Sequence, residues 1–224
     1  MLINIIVQAR SSSKRYKNKV LQTLFRESVI LHLVKKLQYI KYVNKVIVAT
    51  SNENSDNELC SLLKKNKIIV FRGPLQNVYS RFRLCSIMNT SDYFVRISAD
   101  SPFLNSNFLQ LLINIIKKNP QVDILSNIVD RMYPKGQSIE ICKTKRFISL
   151  KSKIKKNSEI EHVTQFFYNN NKKFNFLSIK PKKPMNIGVL NSCVDYPNDI
   201  FTKKKFLNDF KIKNLYKNFL ISKV

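Results

Sequence analysis

The stretch that decides the fold is Leu2-Ile3-Asn4-Ile5-Ile6-Val7, followed at once by Gln8-Ala9-Arg10-Ser11-Ser12-Ser13-Lys14-Arg15-Tyr16-Lys17-Asn18-Lys19. A short, nearly continuous apolar run of this kind reads as a strand buried on both faces, as in a parallel sheet. In open α/β sheets ligands bind beyond the carboxyl ends of the strands. Here that end carries small hydroxyl residues, two arginines and three lysines. Such groups, with backbone amides, can wrap a polyphosphate. The Gly-x4-Gly-Lys-Ser/Thr frame of a P-loop is absent. A flexible basic loop without a ligand is the competing reading of the same residues.

Working outward, apolar strands and amphipathic helices alternate. Val29, Ile30, Leu33, Val34, Leu37 and Ile40 recur at helical spacing, and residues 43–49 form the next strand. Ser55-Asp56-Asn57-Glu58 has the form of a capping box opening a helix, with Leu59, Leu62 and Leu63 on its inner face. Residues 68–71 read as a strand, 78–88 as a helix, 93–97 as a strand, 108–116 as a helix and 122–125 as a strand. This βαβα rhythm predicts an α/β fold with a mostly parallel, Rossmann-like sheet covered on both faces. After Asn127 the rhythm changes. Residues 137–142 alternate like an antiparallel strand or arm, 145–156 and 159–168 read as helices, 175–179 as a strand and 199–210 as a helix. With no internal repeat and no linker, residues 1–224 read as one domain. Its α/β core spans 1–127, and an elaborated C-terminal part spans 128–224.

Hydrophobic residues make up 44% of the 224, enough for a core, and 3 Gly and 7 Pro argue against low-complexity architecture. The four cysteines, Cys60, Cys85, Cys142 and Cys193, have no C-x-x-C spacing, which disfavours zinc ribbons and thioredoxin-type chemistry and suits a reducing compartment. The apolar run at residues 2–7 is too short for a secretory signal, and no stretch approaches the ~20 residues of a membrane span. A cytoplasmic location is the expectation. The formal charge is +26, with 31 Lys against 9 Arg among the 40 basic residues. The lysines are dispersed and read as a solvated basic surface. A nucleic-acid platform is disfavoured, because there is no zinc finger, RRM signature or aromatic-rich basic stripe. The few arginines are more informative, since Arg brings a planar bidentate fork. Arg10, Arg15 and Arg96 lie in the two segments that run out of apolar strands, and are candidate anion ligands. Surface salt bridges are the alternative for each.

The second strand end is Val95-Arg96-Ile97-Ser98-Ala99-Asp100-Ser101-Pro102. A carboxylate there suits Mg²⁺, which takes one or two carboxylates plus substrate phosphates. An Asp in a turn before the next helix is the alternative. Val194-Asp195-Tyr196-Pro197 repeats the arrangement, with a helix cap as its alternative.

These segments together resemble the spore-coat polysaccharide (SpsF-like) cytidylyltransferases, relatives of the acylneuraminate and 3-deoxy-manno-octulosonate cytidylyltransferases. The opening resembles the family's QARMGSTRLPGKVL, with Arg10, Ser13, Arg15 and Lys19 on its Arg, Ser, Arg and Lys. The stretch containing Arg72, Gly73, Val78 and Arg81 resembles FRG…DVLxRY, and the stretch ending in Asp100 resembles VRITGDCPLIDP. Ser126, Asn127, Arg131, Tyr133, Pro134, Gly136 and Glu140 fall on DYVSN…RTYPxGLDVEV; Glu161, His162, Val163 and Thr164 fall on REHVTPYIYNN; Asp195 falls on VDTPEDL. The matches are collinear and span nearly the whole chain.

The resemblance implies a nucleotidyltransferase fold and transfer of CMP from CTP to a sugar acid of the 3-deoxy-2-ulosonic or sialic type. Pyrophosphate is released, and the product serves surface polysaccharide synthesis. It implies that Ala9, Arg10, Ser13, Arg15, Lys19, Arg81 and Arg96 hold CTP, with Arg10, Lys19 and Asp100 catalytic. Asp100 and Asp195 would hold Mg²⁺. Ser126, Asn127, Arg131, Tyr133, Glu140, Glu161 and His162 would face the acceptor. A homodimer is implied, with 137–142 as the candidate arm. Departures are Ser12 and Asn18 where the family has Gly, Ala99 before Asp100, Gln137-Ser138 for Leu-Asp, and Asn191 for Arg. Three alternatives stand beside this reading: a nucleic-acid-binding protein on the same scaffold, a catalytically degenerate partner, and a nucleotidyltransferase with another base or acceptor.

Overall fold

Ile3, Ile5 and Val7 enter one apolar core and Ile6 the other, so the first strand is covered on both sides as its unbroken apolar run requires. The structure is a computed structural model describing residues 1–13, 15–182, 191–202 and 219–224. Strand β1 (Ile3–Gln8) leads through a two-stranded hairpin, β2 (Thr23–Leu24) and β3 (Glu27–Ser28), into α1 (Val29–Gln38). Then follow β4 (Val43–Ser51), α2 (Asn57–Lys65), β5 (Ile69–Gly73), α3 (Val78–Met88), β6 (Tyr93–Ser98), α4 (Ser106–Lys118) and β7 (Ile124–Ser126). The C-terminal part adds β8 (Glu140–Lys143), the short helices α5 (Thr144–Ile148), α6 (Asn157–Glu161) and α7 (Gln165–Asn169), then β9 (Phe176–Pro181), α8 (Asp199–Thr202) and β10 (Phe219–Lys223).

Eight strands form one sheet in the order β10-β9-β7-β8-β6-β1-β4-β5. Strands β5, β4, β1 and β6 are mutually parallel, as the alternation predicts, and β8 runs antiparallel to both its neighbours, β6 and β7. Helices α1, α2 and α4 pack on one face; α3, α5 and α7 pack on the other. In register, Gln8 sits beside Ala49 on β4 and Ser98 on β6, so the carboxyl ends of the three central strands finish level.

Several local expectations are corrected. Of the segment 137–142, residues 140–142 lie in β8, the antiparallel strand that the alternation predicts, but β8 is no free arm: both its edges are paired, with Ile141 and Cys142 buried toward opposite cores. It is therefore not available to a second copy. The helix over 145–156 stops at Ile148, because Lys151-Ser152-Lys153-Ile154-Lys155-Lys156 offers a single apolar residue to pack. The helix over 159–168 is broken at His162–Thr164, where Val163 and Thr164 turn inward. The hairpin β2–β3 and the edge strand β10 were not legible in the periodicity. Of the helix over 199–210, α8 covers the first turn, and 203–210 lie outside the described residues. Among the described residues no helix is long and apolar enough to cross a membrane.

Candidate active site

The chain runs β1, β4, β5 outward in one direction and returns to β6 on the far side of β1. That reversal opens a crevice beyond the carboxyl ends of β1 and β6, the place where α/β sheets bind ligands. A cavity of about 260 Å³ lies there. Ala9, Arg10, Ser13, Arg15 and Lys19 line it from the β1 side, and Ser98, Ala99 and Asp100 from the β6 side. Two segments far apart in sequence are thus joined by strand register.

The loop after β1 is shaped by its own backbone. The Ser11 carbonyl accepts from the amides of Ser13 and Asn18, each at 2.9 Å. Asn18 takes a φ of 56°, where the family has Gly; Asn is among the side chains that tolerate this region. Ser12 does not need a positive φ, so its replacement of Gly costs no backbone strain. The Ser11 amide donates to Asp56 Oδ1 at 2.6 Å. Asp56 is fully buried, and its other oxygen accepts from Thr50 Oγ1, Ser51 N and Ser51 Oγ. Burial alone would raise this carboxyl, but the bonds from Ser51, Ser11 and Thr50 outweigh it and hold it below the ordinary value. Asp56 stands at the N-cap position of α2 without a side-chain cap bond, and Ser55 lies in the tight turn before it, so the helix opens here as expected but not through a Ser55–Glu58 capping box.

Lys19 is 8% exposed and points across the cavity. Its Nζ donates to Asp100 Oδ2 at 2.7 Å and lies 3.3 Å from Asp195 Oδ1, to which Arg15 Nη2 also donates at 2.8 Å. Two carboxylates separated by almost a hundred residues of chain so meet on one ammonium. Their two charges are matched by those of Lys19 and Arg15. The backbone reinforces the meeting: the Val194 amide donates to the Asp100 carbonyl at 2.8 Å, and Asp199 Oδ2 accepts the amides of Asp195 and Tyr196. Cys193 feels both aspartates: burial first, then the charges of Asp100 and Asp195, push its thiol up to about 12, so it stays protonated. Hard carboxylate oxygens converging on a cationic atom beside a phosphate-sized cavity suit Mg²⁺, which completes its shell with substrate and water oxygens. Among the described residues no group of three or more His, Cys, Asp or Glu forms a fuller metal cage.

Gln137 and Gly136 brace this arrangement from below. Gln137 is fully buried; its Nε2 donates to the Phe103 carbonyl and to Ser192 Oγ, and its Oε1 accepts the Asn105 amide. One amide thus ties the segment after Asp100 to the segment before Asp195. A Leu at this position, as in the family pattern, would supply none of these bonds. Gly136, at φ +87°, lies against Ser192 with no room for a Cβ.

The remaining sequence candidates are placed differently. Arg96 does not enter the cavity directly: it pairs with Glu140 at 2.5 Å and donates to Gln8 Oε1, fixing β1 to β8 across β6. Glu140, 1% exposed, also accepts from Thr164 Oγ1 and Tyr168 OH. Ser126 Oγ meets Tyr168 OH, which joins it to the Glu140 group, while Asn127 separately bonds the backbone of Gln137 and Ile139. Arg81 is 1% exposed on α3, with Nε and Nη1 unpartnered. Burial brings its guanidinium down to about 10, the Asp56 charge opposing and the Arg10 charge adding. Tyr133 is buried against Phe108, with its ring 4.9 Å away. Arg131, at φ 47°, and Glu161 and His162 are exposed and do not line the cavity. Asp56 and Gln137 are the residues that the sequence reading missed as parts of the site. The signal for Gln137 was its departure from the family pattern. For Asp56, the helix-start pattern concealed the role.

Residues 4–218 match the family described as cytidylyltransferase. An uncharacterised protein of Methanocaldococcus jannaschii is 28% identical over 94% of this chain and 85% of its own length. The spore coat polysaccharide biosynthesis protein SpsF of Bacillus subtilis is 30% identical over 50% of this chain and 48% of its own. The 3-deoxy-manno-octulosonate cytidylyltransferase of Rickettsia massiliae is 27% identical over 80% and 76%. Among solved structures, a cytidylyltransferase from Leptospira borgpetersenii superposes with a TM-score of 0.85 at 24% identity, covering 94% of this chain and 89% of that one, and so shares the fold. With its switch-point cavity, paired aspartates and a family match over nearly its whole length, the chain belongs to the cytidylyltransferase family of CTP-dependent nucleotidyltransferases.

Proposed function

We propose that this enzyme transfers CMP from CTP to a hydroxyl of a sugar acid of the 3-deoxy-2-ulosonic type, releasing pyrophosphate, in the synthesis of a surface polysaccharide. The observation that carries the reading is the convergence of Asp100 and Asp195 on Lys19 beside the cavity at the end of β1. The acceptor class draws on the names of the SpsF and 3-deoxy-manno-octulosonate relatives.

Phosphoryl transfer of this kind is positioning and charge neutralisation. Arg10, Arg15 and Lys19 hold the triphosphate, with Ser13 and the loop amides supplying neutral donors. Asp100 and Asp195 hold Mg²⁺, which when bound supplies charge neutralisation at the phosphates and a lowered pKa for the attacking hydroxyl. Lys19, already bonded to both carboxylates, keeps them from repelling each other and presents its remaining donor to the phosphates. The brace of Arg96, Glu140 and Gln8 keeps β1 and β6 level, which fixes the distance from the loop to Asp100. The acceptor contacts of Arg131, Glu161 and His162 rest on the resemblance alone, since these exposed residues do not line the cavity.

The test is pyrophosphate release with CTP, Mg²⁺ and a panel of ulosonic acids. Release with at least one acid, and not with neutral sugars, is expected. Silence across the panel, together with no CTP binding, overturns the reading. Asp100→Asn is expected to abolish turnover with an unchanged circular dichroism spectrum; retained turnover removes Asp100 from the centre.

A further inference from the structure

We infer that Asp56 is a positioning residue for the nucleotide: it fixes the peptide joining Arg10 to Ser11 and thereby the cradle formed by Arg10, Ser13, Arg15 and Lys19. The inference rests on reading that cradle as the triphosphate site.

Asp56 lies 45 positions from Ser11, on a different strand-to-helix connection, and its side chain is fully buried. It sits where a helix N-cap would, yet makes no cap bond. Its two oxygens divide their work. Oδ2 accepts three donors from the end of β4: Thr50 Oγ1 at 2.7 Å, Ser51 N at 2.9 Å and Ser51 Oγ at 2.5 Å. Oδ1 accepts the Ser11 amide, at 2.6 Å. Three bonds thus lock the carboxylate to the sheet, and the fourth reaches out to hold the loop.

Ser11 is the hub of that loop. Its carbonyl accepts both Ser13 N and Asn18 N, closing the turn that brings Lys19 back over the cavity. The peptide unit before Ser11 is held from outside by Asp56, and the unit after it is held from inside by the loop. The loop contains no glycine, so its shape depends on these bonds rather than on glycine conformers. Arg10, on the near side of the held peptide, lines the cavity. Rotation of that peptide would swing Arg10 and tilt the Ser12 and Ser13 amides together. A carboxylate accepting a backbone amide is among the stronger hydrogen bonds, which suits a fixed, preorganised phosphate site.

Asp56→Asn separates the two jobs. Ser51 N is an obligate donor on the Oδ2 side and both hydroxyls there also donate, which favours the amide oxygen on that side and leaves the amide nitrogen facing the Ser11 amide, donor against donor. The sheet contacts survive and the loop loses its anchor. Ser51→Ala is the control, removing one Oδ2 bond while leaving the Ser11 contact.

Tripolyphosphate and CTP, each with Mg²⁺, are titrated calorimetrically into wild type, Asp56→Asn and Ser51→Ala, and Ser11 amide exchange is followed by NMR. Asp56→Asn is expected to bind both ligands at least tenfold more weakly, to raise KM for CTP with kcat within about threefold, and to exchange the Ser11 amide at least tenfold faster. Ser51→Ala is expected to lower Tm and leave both affinities unchanged. Equal affinities in wild type and Asp56→Asn, or an unchanged Ser11 exchange rate, overturn the inference. Wild-type protein that binds neither ligand overturns instead the reading of the cradle on which it rests.

Discussion

Gly136→Ala is expected to damage the active centre without touching any residue that meets substrate. The Cβ would lie 2.4 Å from Ser192 Oγ, 2.8 Å from the Ser192 carbonyl carbon and 2.9 Å from Cys193 N. Two of these are backbone atoms, which cannot rotate aside. The φ of +87° adds strain for an L residue, about 1–2 kcal/mol. Forced overpacking adds about 1–3 kcal/mol. The sum, about 2–5 kcal/mol, is a large part of the 5–15 kcal/mol by which domains are typically stable. At roughly 2–4 °C per kcal/mol for a chain of this size, Tm falls by about 4–20 °C. Ser192 is bonded to the Lys135 carbonyl and to Gln137, so pushing it away loosens the segment that carries Asp195. Pyrophosphate release should therefore fall below 25 °C, where the variant is still folded, and added Mg²⁺ should partly restore it. Gly73→Ala is the comparison: its Cβ meets the side-chain atoms Arg81 Cγ and Phe71 Cε1 at 3.0 Å, and its φ is not positive. A Gly136→Ala protein with wild-type Tm and wild-type kcat/KM would refute the claim that the turn at Gly136 sets the position of Asp195.

Glu140→Gln should cost about 2–4 kcal/mol in urea unfolding, below the range for a fully buried broken pair because Arg96 keeps its bonds to Gln8; no change in the midpoint would remove the brace. Lys36, half-buried on α1 and donating to the carbonyls of Pro102 and Leu104, is brought by desolvation down to about 8. Between about 8 and the unfolded value of 10.5 the unfolded chain binds more protons, so this group makes stability rise with pH. At about 1.4 kcal/mol per unit the upper limit is about 3 kcal/mol. The stability of wild type relative to Lys36→Met should therefore increase from pH 7.5 to pH 10, and a decrease would show that the two carbonyl bonds hold the charged form instead.

What was legible in the sequence was what one residue's neighbours in the chain can specify. The run at Ile3–Val7, the helical spacing from Val29 to Leu37 and the apolar strand at Tyr93–Ile97 each declare their burial locally, and the parallel half of the sheet follows from them. The short helices after β8 were misread because lysine-rich segments such as 151–156 have helical composition but nothing to pack. The segment 137–142 has the alternation of a strand, but alternation does not say whether a strand's edges are free. Only the pairing of β8 with β6 and β7 decides that, and it decides against an arm.

The polar interior was the least legible part, for a related physical reason. A buried carboxylate is tolerated only where several donors converge, and those donors come from distant segments. Asp56 needs Ser11, Thr50 and Ser51; Glu140 needs Arg96, Thr164 and Tyr168; Asp195 needs Arg15 and Lys19. Their fates differ although all are aspartate or glutamate near a strand end. Asp56 is saturated by two backbone amides and two hydroxyls, and Glu140 by Arg96, Thr164 and Tyr168; neither lines the cavity, and both hold structure. Asp100 and Asp195 are met by the side-chain cations of Lys19 and Arg15, beside an open cavity. Mobile cations can shift when phosphate oxygens arrive, whereas a backbone amide cannot. The difference between a bracing carboxylate and a working one thus lies in whether its partners face the cavity, as Lys19 and Arg15 do and Arg96 does not, and this predicts that among these four only Asp100 and Asp195 trade partners when CTP binds.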